Sequence, residues 1–317
     1  IVTHVDKRRL HPTHILNKNT KINLKKISMV AWETNLFSDF FIKALHDFKF
    51  DALMLHTSQH LSSIQEQVKI PTYVNHYPIF ELFSPTKKTK KKNDTFNIVS
   101  INAFQPRKGW SELISAYYST FFEFDNVCLR IKTHGKKEEI INSIAIIKKS
   151  HCNTEFVKNT EGQYHTVITA PKCKIEIDNR FISDHEVEEY YSNFDLFACA
   201  TKGEGFGLTI AQACASGIAI MCPNKGGHND FCDDSCYKVK TYTSACAGLP
   251  EGYYSGKNMY FFQCDHLSLK EKFLEAYNDW KSGAIEQRGE KTKTHIENHL
   301  STEKCYKNIL KIMEELK

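Results

Sequence analysis

The chain has 317 residues, of which 41% are hydrophobic and 25% are charged, a composition typical of a globular protein with a buried core. The net charge of +5 is local, because residues 87–92 contain five lysines and without them the charge would be zero. This distribution argues against a nucleic-acid-binding face. No apolar stretch approaches the ~20 residues of a transmembrane helix, and no signal peptide is visible.

The 11 cysteines are odd in number and none forms a C-x-x-C pair. The nearest pair, Cys232 and Cys236, has no matching second pair of the kind that zinc sites use. Several other cysteines lie in apolar runs and are typical of small core residues in a reducing compartment. The sequence therefore predicts no metal site and a cytoplasmic location.

Residues 1–83 alternate between strand and helix patterns. The chain begins at Ile1 in the middle of what looks like a strand, residues 1–5, so we expect the polypeptide to start upstream. Alternation of this kind predicts parallel strands with crossover helices, here a small sheet of three strands. The predicted elements are a strand at 27–32, a helix at 37–48, a strand at 51–55, a helix at 61–68 and a strand at 71–74.

Residues 84–95 contain nothing that could enter a core and form the clearest boundary in the chain. The repulsion between their lysines favours an extended linker.

A second unit of alternating elements starts at residue 96, and residues 150–173 give no clear pattern. Ser111 and Asp184 are predicted helix caps, Glu186 suits a first helical turn, and Gly217 suits a helix end. The predicted strands and extended segments are 96–101, 127–132, 174–181, 195–200 and 218–222. The predicted helices are 112–122, 138–148, 185–193, 208–216, 267–281 and 301–316.

Three glycines fall within residues 203–207, between a buried strand and a helix that begins near Leu208. Ligands of open α/β sheets bind at the carboxyl ends of the strands, and free amides at a helix start suit a phosphate. Spacing alone leaves a phosphate site and a tight turn as equal alternatives. The loop is not G-x-G-x-x-G, and no strand ending in an acid follows about 20 residues later, which argues against a dinucleotide-binding dehydrogenase.

The string from Glu204 to Gly217, E-G-F-G-L-x-x-x-Q-A-x-A-x-G, resembles the signature of retaining GT-B glycosyltransferases of group 1, or glycosyltransferase family 4. In that family a first Glu contacts the donor sugar, which implies this role for Glu204. The family's second Glu hydrogen-bonds the nucleotide ribose. Gln212 stands there in this chain, so the ribose contact lacks a charge.

Further stretches carry the same resemblance. Residues 102–109 resemble the family's first donor-domain loop, whose Lys-Gly holds the donor phosphates, which implies this role for Lys108 with Arg107 beside it. Asn102 stands where the family often has an Arg. Ile182 and Ser183 fall where the nucleobase docks. The remaining implied donor contacts are the hydroxyl of Thr209 and the backbone amides of Gly205, Phe206, Gly207, Leu208 and Thr209.

Residues 226–230 resemble the family's Gly-Gly loop, in which His228 is expected to be an ordinary loop histidine. The resemblance covers residues 96–300 well and is fainter in residues 1–83, where 30–34 and 74–78 look like stretches late in the family's N-terminal domain.

The implied fold is α/β, of the GT-B type, with two Rossmann-like domains of which the N-terminal one is shortened. Residues 1–83 would form the acceptor-side domain, 84–95 the basic linker and 96–300 the donor-binding domain. Residues 301–317 would form a helix that crosses back to the N-terminal domain.

The implied activity is transfer of a sugar, with retention, from a UDP- or GDP-sugar to a glycan, protein or lipid acceptor. The leaving phosphate itself would accept the acceptor's proton, with no protein nucleophile, no metal and no cofactor. Glu204, Lys108 and Arg107 are the expected catalytic residues. The Lys- and Asn-rich, cysteine-rich character is also similar to glycosyltransferases of large DNA viruses, which would place the protein in the host cytoplasm.

Two alternatives stay open. Gln212, Asn102 and the short first domain also suit a degenerate transferase that only binds a nucleotide sugar. An epimerase of nucleotide sugars would use the same donor site without an acceptor. A phosphorylase is disfavoured because its cofactor-binding lysine belongs to a much longer chain. The sequence does not reveal the oligomeric state.

Overall fold

The structure is a computed structural model that describes residues 2–4, 25–79, 94–122, 125–133, 153–158, 164–169, 174–246 and 258–316. Within these residues, two main sheets are flanked by helices. The predicted helix at 138–148 and most of the predicted linker lie outside the described residues. No helix in the described part of the chain is long and apolar enough to cross a membrane.

The first sheet has four parallel strands in the order β1-β2-β3-β4, so the prediction of three strands was wrong. The additional strand is the strand-like run at the start of the chain, which the prediction had left out of the sheet and which pairs with β2. Helix α1 begins after Ser38, whose hydroxyl accepts from Phe41 N. The elements are β1 (Val2–His4), β2 (Ile27–Val30), α1 (Asp39–Asp47), β3 (Ala52–Leu55), α2 (Leu61–Val68) and β4 (Thr72–Val74).

The second sheet has eight strands in the order β12-β11-β10-β5-β6-β9-β8-β7. All neighbours are parallel except β7 with β8 and β8 with β9, which are antiparallel. The strands are β5 (Phe96–Ile101), β6 (Val127–Lys132), β7 (Asn153–Lys158), β8 (Tyr164–Thr169), β9 (Lys174–Asp178), β10 (Leu196–Ala198), β11 (Ala219–Pro223) and β12 (Tyr237–Val239). The central strand β5 pairs with β6 on one side and with β10 on the other, so a topological switch point lies between β5 and β10.

Six helices and a hairpin complete the described fold. They are α3 (Trp110–Thr120), α4 (Asp184–Tyr191), α5 (Leu208–Ala215), the antiparallel pair β13 (Thr241–Ala245) and β14 (Tyr260–Cys264), α6 (His266–Ser282), α7 (Ile285–His299) and α8 (Thr302–Glu315). The sequence did not predict α7, the hairpin, or strands β7, β8 and β12. Helix α7 was missed because its sequence is strongly polar, with only four buried positions in 15 residues.

Two predicted helix caps were wrong. Helix α3 begins at Trp110 after Gly109, whose φ of 67° is left-handed, so Ser111 already lies inside the helix. Helix α4 is capped by Ser183, one residue before the predicted Asp184, in a reciprocal capping box with Glu186. The prediction that Gly217 ends α5 agrees with its φ of 74° directly after the C-cap.

Aromatic side chains fill the cores on both faces of the second sheet. One face buries Phe96, Tyr117 and Phe273, and the other buries Phe197 and Phe231. Burying a side chain of this size contributes about 1.5–3 kcal/mol, so these layers fix the sheet that positions the loops at the strand ends.

The last helix packs on the first sheet. Ile312 of α8 is buried against Ile27, Ala52 and Met54. In addition, the Asn308 amide donates to the Val74 carbonyl at 2.8 Å. The chain therefore returns from the second unit to the first at its end.

Candidate functional site

The loops that follow β5 and β10 meet at the switch point. The loop after β5 enters a 3-10 helix, Pro106–Lys108, and the loop after β10 carries the three glycines. A backbone hydrogen bond joins the two loops, in which the Lys202 N–H donates to the Arg107 carbonyl at 2.8 Å. Gly109 is essential to this approach, because a Cβ there would lie 1.9 Å from the Ala200 carbonyl oxygen. The sheet topology thus unites two segments that are about a hundred residues apart.

Glu204 is held by two cations from the other loop. Lys108 Nζ donates to Glu204 Oε1 at 2.5 Å, and Arg107 Nη1 lies 3.8 Å from Glu204 Oε2. The Thr201 hydroxyl donates to the same Oε1 at 2.9 Å. All three charged side chains are largely buried, with 10–14% of their surface exposed. The predicted catalytic residues Glu204, Lys108 and Arg107 therefore form one charge cluster.

The charge state of Glu204 follows from these contacts. Burial by itself would raise the pKa of this carboxyl, but attraction to Lys108 and Arg107 and hydrogen bonds from Lys108 and Thr201 outweigh burial and lower the pKa to about 2. Glu204 is consequently a carboxylate at neutral pH.

A second carboxylate belongs to the N-terminal unit, which contains the first sheet, and lies beside the charge cluster. Glu33, in the segment after β2, has its Oε1 3.5 Å from Arg107 Nη2. Arg107 also donates from Nη1 to the Gly203 carbonyl at 2.5 Å. Sequence reasoning did not assign Glu33 a role, although its place after the carboxyl end of a parallel strand is a signal that could have found it.

Two of the three loop glycines are required by packing. A Cβ on Gly203 would lie 2.3 Å from the Glu33 carbonyl oxygen, and one on Gly205 would lie 2.5 Å from Trp32 N. Gly227 covers the loop from its other side, since its N–H donates to the Glu204 carbonyl at 2.8 Å. The loop is therefore enclosed between the first unit and the loop of residues 226–230.

The third glycine opens helix α5. Gly207 has a φ of 96° at the N-cap position, and no side chain caps this helix. The first backbone hydrogen bond runs from Ala211 N to the Gly207 carbonyl at 3.0 Å, so the N–H groups of Leu208, Thr209 and Ile210 precede it. Leu208 is 52% exposed, which leaves this end of the helix open to a ligand. An uncapped helix start of this kind carries partial positive charge.

The other predicted donor contacts surround this helix start in different environments. Phe206 is buried against Tyr77 and Phe231, so its side chain belongs to the core. Gln212 is half-buried one turn into α5, and Ile182 is half-buried before α4. The Ser183 hydroxyl is engaged by Glu186 at 2.7 Å in the capping box.

Asn102 is buried directly after β5. Its side-chain amide donates to the Ser100 hydroxyl at 3.5 Å, and its backbone N–H donates to the Lys132 carbonyl at 3.1 Å. This position is thus filled by a neutral side chain inside the protein.

His228 is fully buried, so the expectation of an ordinary loop histidine was wrong. Its Nε2 hydrogen-bonds the Pro223 carbonyl at 2.8 Å, while its Nδ1 has no partner among the described residues. Burial lowers the pKa of His228 to about 4, so the ring is neutral at physiological pH. Its Cβ lies beside Gly207 at the start of α5.

Asp230, at the end of the same loop, joins the two units. It accepts from Ser58 N at 2.6 Å, from the Ser58 hydroxyl at 2.7 Å and from His76 Nε2 at 2.9 Å. Burial alone would raise the pKa of Asp230, but the bonds from His76 and Ser58 lower it below its ordinary value. Neither Asp230 nor its partners were singled out from the sequence, because the contact spans more than 150 residues.

The fold is GT-B: two α/β units with parallel sheets face each other, and the candidate site lies where they meet. Residues 179–239 match the family described as Glycosyl transferases group 1, a segment that contains α4, the glycine loop, α5 and the loop of residues 226–230. This match and the fold together support a group 1 glycosyltransferase. No curated protein matches the chain significantly in sequence.

Solved glycosyltransferase structures share this fold. Staphylococcus aureus TarM, solved with fondaparinux, alpha-GlcNAc-glycerol and UDP, matches with a TM-score of 0.62 and 16% identity over 93% of this chain and 52% of its own. The pneumococcal O-GlcNAc transferase GtfA, solved with UDP and GlcNAc, matches with a TM-score of 0.58 and 14% identity over 92% of this chain and 52% of its own. Sucrose-phosphate synthase from Thermosynechococcus elongatus gives a TM-score of 0.64 and 12% identity over 93% of this chain and 69% of its own.

This chain spans about half the length of the first two of these relatives. The shared part establishes the common fold and no more than that at such low identity.

Proposed function

We propose that the protein is a retaining glycosyltransferase that takes a sugar from a UDP- or GDP-sugar without a catalytic metal, in the manner of glycosyltransferase family 4. The observation that carries the proposal is the convergence of Glu204, Lys108 and Arg107 beside the uncapped start of α5. Similar structures solved with UDP support the choice of donor class.

The proposed diphosphate position is the start of α5. There the N–H groups of Leu208 and Thr209 and the positive end of the helix favour an anion. Lys108 and Arg107 would stabilise the negative charge that develops on the leaving diphosphate, which is the largest single contribution to many transfers of this kind. Glu204 would orient the hydroxyls of the donor sugar.

The charges of the cluster suggest how the donor is accepted. The cations Lys108 and Arg107 are balanced by Glu204 and Glu33, so these four side chains sum to zero. A diphosphate adds about two negative charges. We therefore propose that Lys108 exchanges part of its bond with Glu204 for a phosphate oxygen, which frees a Glu204 oxygen for the sugar.

A donor screen tests the proposal directly. Thermal stability of the protein is measured against UDP-, GDP- and ADP-sugars, and the best binder is then tested for hydrolysis and transfer. We expect a shift with a UDP- or GDP-sugar followed by turnover. The absence of a shift with every nucleotide would refute the donor site.

A matched pair of variants tests the role of Glu204. Glu204→Gln keeps the shape of the side chain and removes its charge, so transfer should fall by roughly 10²-fold or more while nucleotide binding is kept. Glu314→Gln, on α8, is the control and should leave both unchanged. Full transfer activity of Glu204→Gln would show that this residue does not act on the donor sugar.

Gln212 provides a gain-of-function test. If it occupies the ribose position, Gln212→Glu should tighten donor binding by roughly tenfold, because a hydrogen bond to a charged acceptor is stronger than one to a neutral group. Unchanged donor affinity would show that Gln212 does not contact the donor.

The stereochemical course and the metal requirement need their own measurements. The anomeric configuration of the product, read by NMR, should match that of the donor. Added Mg²⁺ or Mn²⁺ should leave the rate unchanged. An inverted product, or a rate that depends on the added cation, would contradict the family 4 mechanism.

A nucleotide-sugar-binding module without transfer activity is the second candidate. Its basis is that Gln212 and Asn102 are neutral side chains. A thermal shift without turnover would support it, whereas conversion of the donor sugar without an acceptor would support an epimerase. The domain limits, the cytoplasmic location and the likeness to viral enzymes stay predictions.

A further inference from the structure

Three cysteine thiols meet in the core of the second unit, away from the charge cluster. The Sγ atoms of Cys222, Cys232 and Cys236 all lie within 4.8 Å of one another. A fourth cysteine, Cys214, interacts through its thiol with Cys232. All four are buried, with at most 5% of their surface exposed, and none is in a disulfide.

The four cysteines come from four different places in the fold. Cys214 lies in α5, Cys222 lies near the end of β11, Cys232 follows the 3-10 helix Gly227–Asp230, and Cys236 immediately precedes β12. Their backbones are held independently: Cys232 N donates to the His228 carbonyl at 2.9 Å, and Cys236 N donates to the Asp233 carbonyl at 3.2 Å. The convergence therefore results from the tertiary fold and not from a short local motif.

A positive charge lies beside the cluster. Lys238 Nζ donates to the Cys232 carbonyl and to Asn229 Oδ1, each at 2.8 Å. Lys238 is half-buried, and partial removal of an ammonium group from water is less costly when negative charge is close. Thiolate ligands around a divalent cation supply such negative charge, whereas neutral thiols do not.

We propose that Cys222, Cys232 and Cys236, with Cys214 as the fourth ligand, bind one zinc ion that has a structural role. Zinc–sulfur bonds of about 2.3 Å at tetrahedral angles place ligand sulfurs about 3.8 Å apart, and the thiols of Cys222, Cys232 and Cys236, within 4.8 Å of one another, are close to that spacing. Each thiol releases its proton to solvent as it binds.

A site of this composition is structural because four protein ligands leave no open position for water or substrate. The ion would tie α5, whose start is the proposed diphosphate position, to β11 and to the loop that carries His228 and Asp230. Its role does not depend on the proposed transferase activity, since the ligands lie outside the charge cluster.

Metal analysis of the purified chain tests the proposal. Protein produced with zinc in the medium and purified without chelator should contain about one zinc per chain, as measured by inductively coupled plasma mass spectrometry. Cys222→Ser and Cys232→Ser should each lower that content by roughly tenfold or more. Cys264→Ser is the matched control, because Cys264 is equally buried but lies in another core cluster, and it should keep the zinc.

A second measurement covers the case in which the serine variants fail to fold. Wild-type protein is stripped of metal with a chelator and titrated with Co²⁺, which should produce the strong sulfur-to-cobalt charge-transfer bands of tetrahedral thiolate ligation. Restoring Zn²⁺ should bleach these bands and raise the Tm of the stripped protein.

Three results would overturn the proposal. One is wild-type protein that contains less than about a tenth of a zinc per chain and gives no cobalt bands. Another is undiminished zinc in folded Cys222→Ser and Cys232→Ser. The third is a disulfide between two of the four cysteines, detected by mass spectrometry in protein kept under reducing conditions.

Discussion

Lys108 Nζ lies 2.5 Å from Glu204 Oε1, although the two residues are 96 positions apart in the chain. They meet because the loops that carry them follow β5 and β10, the two strands at the switch point of the second sheet. The side chain proposed to hold the donor phosphates thus neutralises the one proposed to hold the donor sugar. In the absence of a donor, each satisfies the other's charge inside a largely buried site.

This pairing predicts a strong energetic coupling. Lys108→Met leaves the Glu204 carboxylate buried without its main partner and should lower the free energy of unfolding by roughly 3 kcal/mol. Lys108→Met combined with Glu204→Gln should recover part of that loss, giving a coupling of about 1–3 kcal/mol in denaturant titrations. The exposed pair of Lys307 and Glu303 is the control and should show a coupling below about 0.5 kcal/mol. Equal coupling in both pairs would contradict the buried geometry.

Because His228 is buried, we expect the stability of the protein to fall over a defined range of acidic pH. Burial lowers its pKa from 6.5 to about 4, so the unfolded chain takes up a proton below pH 6.5 that the folded chain refuses until about pH 4. Stability is therefore lost as the pH falls through this window, by up to about 3 kcal/mol.

The measurement is the free energy of unfolding at several pH values between 6.5 and 4. His228→Gln should reduce the slope with pH by about one proton. His46→Gln, at an exposed position of α1, is the control for the loss of a histidine. The interpretation fails if His228→Gln leaves the slope as it is in the wild type.

Gly205 predicts a steric requirement at the contact between the two units. A methyl group at this position would lie 2.5 Å from Trp32 N and 2.8 Å from the Ala31 carbonyl carbon, which is backbone that cannot move aside cheaply. Gly205→Ala should therefore destabilise the protein by about 1–3 kcal/mol and weaken donor binding.

Gly283→Ala separates crowding from backbone strain. Gly283 has a φ of 80°, but a Cβ there would meet nothing closer than 4.0 Å. Its replacement should cost about 1 kcal/mol in stability and leave donor binding intact. A Gly205→Ala protein with wild-type stability would mean that the two backbones do not approach as closely as described.

The hydrogen bonds of Asp230 are expected to stabilise the contact between the two units. Asp230→Ala removes the acceptor of the bonds from Ser58 and His76 and should cost about 1–3 kcal/mol in stability. Asp234→Ala, at an exposed position four residues later, should be neutral. Hydrogen exchange of the Ser58 amide should become faster only in the first variant, and equal protection in both would exclude the contact.

The hydrophobic patterns of the sequence determined most of the described elements. The strands at 96–101 and 127–132 and the helix at 61–68 agree with the structure at both ends. The local signals alone left the glycine loop as either a phosphate site or a tight turn, and only the resemblance to the group 1 signature grouped Gly207, Glu204 and Lys108 into one predicted site. Helix α7 and strands β7 and β8 were not predicted, since their sequence patterns are polar or ambiguous over short windows.

Only the tertiary structure decided which residues from distant segments share a site. It brought Glu33 to Arg107, Ser58 and His76 to Asp230, and three cysteines with no local zinc motif into one buried cluster. It also assigned Gly203 and Gly205 to close packing between the units. The reason is physical: periodicity reports which side of an element is buried, whereas the pairing of strands and the docking of two units fix which side chains meet.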